Sequence, residues 1–284
     1  MDTDDKNTNA ARVSSAHSRE LGEVLRQARQ RARMSSSRAA NGLGWSLGKL
    51  SKLETGTRGT SVVEIATLLG HYGTEKTTRE QIIELAREPD TGGFLRAHHQ
   101  IPDTLVTLSA HECAAESITA YEPLIVPSLA QTEDYAYALT GNRNLARARM
   151  ARQQQLHTVE GQRVLLFVHE AALRSVVGTP TVMREQMLRL ALMGGWEQIE
   201  LRLILQSAAV DAAFGRPATL LTFPEPIRPL AYVETDTATV FQDDPHAVAH
   251  YEDKMLRLHS LALSADMSRE VFASWADAYD RKPE

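Results

Sequence analysis

The sequence predicts a multidomain chain, an all-α N-terminal domain of five short helices followed by an α+β domain with a mostly antiparallel sheet. Three observations predict it. Up to residue 88, apolar residues recur at three- and four-residue spacing in short runs separated by Ser and Gly signals. From residue 105 the texture changes, and short apolar, strand-like runs alternate with helical ones. Charge divides the chain at a similar place. Arg12 to Arg58 holds ten basic and three acidic residues, a net +7, whereas the whole chain carries -5. A compact basic block on an otherwise acidic chain points to a polyanionic partner for that block alone.

The totals set outer bounds. A chain of 284 residues, 43% hydrophobic, has ample material for buried cores. No run of eighteen apolar residues suggests a membrane span, and MDTDDKNTNAA at the N-terminus is acidic and polar, the opposite of a signal peptide. Residues 1–13 are expected to form a disordered tail. One cysteine, Cys113, excludes an internal disulfide, fits a reducing cytoplasm, and is expected to be a half-buried apolar side chain.

The first helix is expected over Ser18 to Ala32, with Leu21, Leu25, Ala28 and Ala32 on one apolar face. Ser35 or Ser36 caps a short second helix that turns Ala39, Ala40 and Leu43 inward. Gly44 permits a left-handed turn. Ser46 then caps a third helix with Leu50 and Leu53 toward the core. Ser61 and Glu64 form a capping box for the fourth helix, and Thr77 and Glu80 a second box for the fifth. Helices two and three joined by a tight glycine turn make a helix-turn-helix, in which the third helix enters the DNA major groove. With Leu50 and Leu53 inward, Lys49 and Lys52 project outward, where they suit phosphates or guanine edges. Leu47 suits a thymine methyl, and Gly48 lets the backbone approach closely.

LGEVLRQARQRARMSSSRAANGLGWSLGKLSKLETGTRG resembles the DNA-binding domain of XRE-type, Cro-like regulators over about Arg19 to Gly70. The resemblance implies a structural ion pair between Arg29 and Glu54. It places Ser36 and Arg38 near the phosphate backbone or a groove edge. Ser46, Leu47, Gly48, Lys49 and Lys52 form the surface entering the groove, and Thr57 and Arg58 lie in the loop that follows. Such regulators usually carry Gln where this chain has Ser36, and polar residues where it has Leu47 and Gly48. Direct base reading is therefore expected to be sparse, with phosphate contact and DNA shape carrying more of the binding.

The helix-turn-helix domain is assigned to residues 14–88, a linker to 89–103, and an α+β sensor or partner-binding domain to 104–284. Two prolines and a Gly-Gly pair mark the linker. His98 and His99 within it lack further ligands at metal spacing. In the second domain, TLSAHECAAESITAYEPLIVP reads as a helix with Cys113 and Ile118 on one side, then an extended piece. Thr132 caps the next helix. NLARARMARQQQLHT reads as an amphipathic or surface helix, VLLFVHE as a buried strand, and PTVMREQMLRLALMG as a helix. IELRLIL, TLLTFPEP, LAYVET and ATVFQD read as strands. A long final helix opens at Asp244-Pro245, with Ala249, Met255, Leu256, Leu261 and Leu263 serving a core or an interface.

ITAYEPLIVPSLAQTEDYAYAL, ARMARQQQL, FVHEAALRSVVGTPTVMREQMLRL, TLLTFPEP, YVET and YEDKMLRLHSLALS resemble the C-terminal domain of WhiJ-like actinobacterial regulators over most of residues 109–265. The resemblance implies regulation of gene expression, often beside a gene for a small partner protein. No nucleophile motif, metal-ligand spacing or phosphate loop appears, so no catalytic residue, metal or cofactor is expected. Gln131, Tyr135 and Glu170 are candidates for a ligand- or partner-sensing surface, because polar residues beside apolar strands give pockets their specific contacts. Glu170 is also read as structural. The expected function is a cytoplasmic, sequence-specific transcriptional regulator on double-stranded DNA. It is expected to be a homodimer, with a small-molecule effector or small protein as further partner. The alternative is an antitoxin-like module that neutralises a small protein and autoregulates its operon.

Overall fold

The computed structural model describes residues 14–57, 59, 61–98, 104–156, 159–208 and 212–281, with backbone alone at 106, 156, 212 and 213. The tail assigned to residues 1–13 and the expected contact at Arg58 lie outside the described residues. Two compact units form, the first running to Gly93 and the second from Phe94 onward, Glu225–Arg228 excepted. Among the described residues, no helix is long and apolar enough to cross a membrane.

The first unit holds α1 (Ala16–Arg31), α2 (Ser36–Gly42), α3 (Leu47–Glu54), α4 (Val62–His71) and α5 (Lys76–Arg87). Serine side chains start four of them. Ser15 forms a capping box with Ser18, Ser35 accepts from the Arg38 amide, Ser46 from that of Lys49, and Ser61 forms a box with Glu64. Each such cap stabilises its helix by about 1 kcal/mol. The box expected at Thr77 and Glu80 does not form. α5 begins at Lys76 with no side-chain cap, so Thr77 is already helical and cannot take the extended conformation a cap requires. Leu21, Leu25, Ala39, Ala40, Leu50, Ile65 and Leu69 are among the residues of one core. Gly22 lets α1 touch the end of α3. A Cβ there would lie 2.6 Å from the Glu54 carbonyl oxygen.

The second unit is built on a seven-stranded sheet. Its strands are β1 (Gly93–Ala97), β2 (Ser117–Glu122), β3 (Arg163–His169), β4 (Ile199–Ile204), β5 (Ala218–Thr222), β6 (Leu230–Glu234) and β7 (Ala238–Gln242), in the order β1-β7-β6-β5-β2-β3-β4. β2 pairs antiparallel with β5, β5 with β6, and β6 with β7, while β2, β3 and β4 run parallel. The parallel part follows from connectivity. α7 (Glu133–Thr140) and α8 (Arg143–Leu156) separate β2 from β3, and α9 (Glu170–Arg174) and α10 (Pro180–Met193) separate β3 from β4. Crossovers of that length return a chain in the same direction, whereas the short links between β5, β6 and β7 reverse it.

Several expectations need correction here. The stretch read as a linker contains β1, an edge strand beside β7, and His98 donates its amide to Thr237 while its Nε2 lies 3.2 Å from the Thr239 hydroxyl. His99 lies outside the described residues. α6 (Thr104–Ala114) ends before Ile118, which sits in β2. On α11 (Pro245–Leu261) the inward residues are Val248, Met255 and Leu258; Ala249 and Leu256 face solvent. A further helix, α12 (Ala265–Asp280), packs along α10 and buries Phe272, Ala276 and Tyr279. Their i, i+4, i+7 spacing is an ordinary helical face overlooked behind the long helix before it.

Candidate functional site

α3 is presented by the parts around it. Gly44 adopts φ of 64°, the left-handed turn that ends α2. Leu50 and Leu53 are 1% and 3% exposed, which fixes the rotation of the helix about its axis. Arg29 and Glu54 then join α1 to the end of α3 through two parallel contacts, Nε to Oε1 at 2.7 Å and a terminal nitrogen to Oε2 at 2.9 Å. Arg29 also donates to the Met34 carbonyl at 2.8 Å. The Glu54 hydrogen bond raises the already high pKa of Arg29, so the guanidinium stays charged. This is a bidentate, mostly buried pair that positions a helix.

With that rotation set, Ser46, Leu47, Gly48, Ser51 and Lys52 are exposed on one side of α3. Leu47 is 53% exposed, and a Cβ added at Gly48 would meet nothing within 4 Å. Arg38 is exposed on α2 and Ser36 half-buried. Thr57 is exposed, with its amide bonded to the Lys52 carbonyl and its hydroxyl to Thr55. Lys49 differs from expectation. Its ammonium lies 2.7 Å from a Glu64 carboxylate oxygen and 3.8 Å from the centre of the Trp45 ring. The lysine is held against α4 and does not project outward, because a carboxylate and an aromatic face together outcompete solvent. Glu64 therefore does two jobs, since its other oxygen accepts from the Ser61 amide. The capping box hid the second job in the sequence, and nothing in Trp45's local pattern announced it.

In the second unit, Gln131, Tyr135 and Glu170 do not converge. Gln131 is 1% exposed, donates to the Val126 carbonyl at 2.8 Å and accepts from Arg149 at 3.1 Å. Tyr135 is fully buried, its hydroxyl accepting from the Val126 amide, and burial pushes its pKa up to about 12. Both are interior ties and not a sensing surface. Glu170 sits at the end of β3, where it accepts from the Gln206 amide at 2.9 Å and pairs with Arg174. The Gln206 amide first, and Arg174 after it, hold its pKa below the usual carboxylate range.

The sequence reading missed a buried charge network. Arg152 of α8 lies 2.9 Å from Glu112, 3.4 Å from Glu234 and 2.7 Å from the Ser128 hydroxyl, while the Tyr232 hydroxyl donates to Glu112 at 2.6 Å. Of the two readings of α8, amphipathic or surface, the first holds, with Arg152 and Gln153 on its buried side. Glu122, two residues beyond the row that Ala120, Thr219 and Tyr232 share, has its pKa raised to about 8 by burial and by Glu234. The space beside these two carboxylates is about 10 Å³, too small for a ligand.

A carboxyl raised in the folded state binds a proton that the unfolded chain has released. It therefore stabilises fully at acidic pH and loses that contribution as pH rises from the ordinary carboxylate range to about 8. The second unit is expected to lose thermal stability between pH 5 and 8, and Glu122→Gln to flatten that slope, which is at most about 1.4 kcal/mol per pH unit for one proton. Melting curves across pH check this; a slope that persists in the variant assigns it to another group.

Among the described residues, no group of three His, Cys, Asp or Glu side chains is placed to hold a metal. No curated protein matches the sequence. Among solved structures, the chain matches TrmBL2, an archaeal chromatin protein described as showing a novel mode of DNA binding, at 13% identity and a TM-score of 0.32. The match covers 70% of this chain and 66% of that one, just under two thirds, and is too slight to argue from. Residues 20–82 match the model of a helix-turn-helix domain, the span of α1 to α5. Residues 105–274 match a second model, and since these make up more than half the sequence, the chain belongs to the family defined by the domain of unknown function DUF5753.

Proposed function

We propose that the protein is a transcriptional regulator of XRE type and WhiJ-like architecture that binds duplex DNA through α3. Its second unit provides the dimer contact, the effector site or the docking site for a small partner protein. The exposed side of α3 carries this reading. A helix held in place by two buried leucines and a bidentate ion pair presents Ser46, Leu47, Gly48 and Lys52 outward. Lys52 supplies a cation for phosphate, Leu47 an apolar contact for a thymine methyl, and Gly48 an unobstructed approach. Arg38 and Thr57 flank the helix for backbone contact, and Ser36 lies beside Arg38. No Arg, Asn or Gln on this side of α3 offers bidentate base reading, so phosphate contact and DNA shape carry the selectivity. A lone helix-turn-helix makes few contacts, and a dimer reading two half-sites follows.

The test is selection of bound duplexes from a randomised pool, followed by titration at several salt concentrations. Lys52→Ala should reduce the slope of log affinity against log salt by about one and weaken binding about tenfold at low salt. Lys49→Ala should also lower the melting temperature, because it releases Glu64 and Trp45. An unaltered slope for Lys52→Ala removes that lysine from the interface; failure to select any duplex removes the function.

A further inference from the structure

A groove of about 800 Å³ lies in the second unit between α11 and the chain entering β5. Its size is that of a site for a small organic ligand. Its walls are of two kinds. Tyr251 and Leu256 supply apolar surface above the buried Phe214, and Leu256 is 70% exposed although it stands on a helix whose other face is well packed. Arg216, Lys254 and Arg257 supply positive charge, against a single carboxylate from Asp253 among the described lining residues. This concentration runs against the charge of the unit, because the chain beyond the basic block is acidic.

The cations are placed, not scattered. Lys254 donates to the Arg216 backbone carbonyl at 2.6 Å and lies 5.5 Å from the centre of the Tyr121 ring, which brings it to the carboxyl end of β2. Arg257 lies over the Phe214 ring at 5.0 Å. Burial first, and crowding by Arg216, lower the pKa of Lys254 against the opposing pull of Glu122, so an added negative charge there would be favoured. β2 is also where the sheet changes from parallel pairing with β3 to antiparallel pairing with β5. The groove thus opens beyond the carboxyl end of β2, beside the start of β5.

We propose that this groove is the binding site of a small amphipathic organic anion, a molecule with an aromatic or alicyclic body and one carboxylate, sulfonate or phosphate group. The body lies against Tyr251 and Leu256, over the buried Phe214, and the anionic group between Arg216 and Lys254. The inference deepens the effector role proposed above and rests on that reading only for the consequence of binding. Its test needs no DNA, so the two fail separately.

The full chain is titrated with anilinonaphthalenesulfonate, and in parallel with its uncharged relative N-phenylnaphthylamine, by fluorescence and calorimetry. The sulfonate should bind at one site per chain about tenfold more tightly than the neutral compound, as one charge-assisted contact predicts. Arg216→Gln, at an exposed position, should erase that difference, and Leu256→Glu should abolish sulfonate binding, both with unchanged melting. Equal affinity for the two probes, or sulfonate binding untouched by both variants, overturns the proposal. Displacement of the dye by short oligoglutamate at matching concentration overturns it too, and assigns the groove to an acidic peptide.

Discussion

Gly56→Ala is expected to destabilise the N-terminal unit by about 2–5 kcal/mol, through two independent costs. Gly56 has φ of 67°, and a left-handed residue with a Cβ costs about 1–2 kcal/mol. That Cβ would also lie 2.4 Å from the Ser18 carbonyl oxygen, a backbone atom in the first turn of α1. Neither side of such a contact is a flexible side chain, so relief requires moving α1 away from the end of α3, at a further cost of about 1–3 kcal/mol. The move would also strain the hydrogen bond from the Ser18 hydroxyl to the Gly56 carbonyl, now 2.8 Å. Hydrogen exchange of the α1 and α3 amides reads the effect directly. Gly48→Ala is the control, because it sits in open space at the other end of the same helix and should leave exchange slow. Equal protection in both variants would show that α1 and α3 do not depend on this close approach.

Arg152→Ala should cost the second unit about 3–5 kcal/mol. Glu112 is 0% exposed and keeps only the Tyr232 hydroxyl from the network once the guanidinium is gone. Its carboxyl is already pushed up by burial and pulled back by Arg152 and Tyr232; without Arg152 it would fold protonated. The variant should therefore recover stability as pH falls toward the ordinary carboxylate range, opposite to a loss from packing alone. Removing both buried charges with Glu112→Leu and Arg152→Met should be milder than the single change, since the fully buried carboxylate is no longer stranded and the partly exposed Glu234 keeps access to water. Melting temperatures of the three variants at two pH values decide it. A double variant as unstable as the single one would mean that shape, and not charge pairing, dominates at this position.

What could be read before the fold was known follows the range of the interaction. Ser46, Ser61, Thr132 and Asp244 each cap a helix through an amide two or three residues ahead, and such signals lie within a few letters of sequence. The inward turn of Leu50 and Leu53, and with it the outward turn of Lys52, followed from helical spacing alone. The Arg29–Glu54 contact came from resemblance, since nothing local links positions 25 residues apart. Lys49 was misjudged because its partner stands on the next helix. The character of the buried side of α8 was hidden for a related reason. RNLARARMARQQQL is polar enough to read as surface, yet Arg152 and Gln153 are each 4% exposed because Glu112, Ser128 and Glu234 arrive from distant segments to meet them. β1 was hidden by its glycines and by the prolines around it, which mark a loose connection in any local reading.

The pairing of β2 with β5 has a kinetic side. Ser117 and Thr222, at one end of that ladder, are 105 residues apart, whereas β5, β6 and β7 meet one another across short reversals. During synthesis β2 leaves the ribosome long before β5 exists, and its apolar residues Ile118, Ala120 and Tyr121 must wait with one edge unmatched. Chain closure over such distances is entropically late, so the join of β2 to β5, and the pairing of β1 with β7 that links His98 to Thr239 across 141 residues, belong to the late steps of assembly. Until then the nascent domain offers the unmatched edge of an apolar strand to any neighbour.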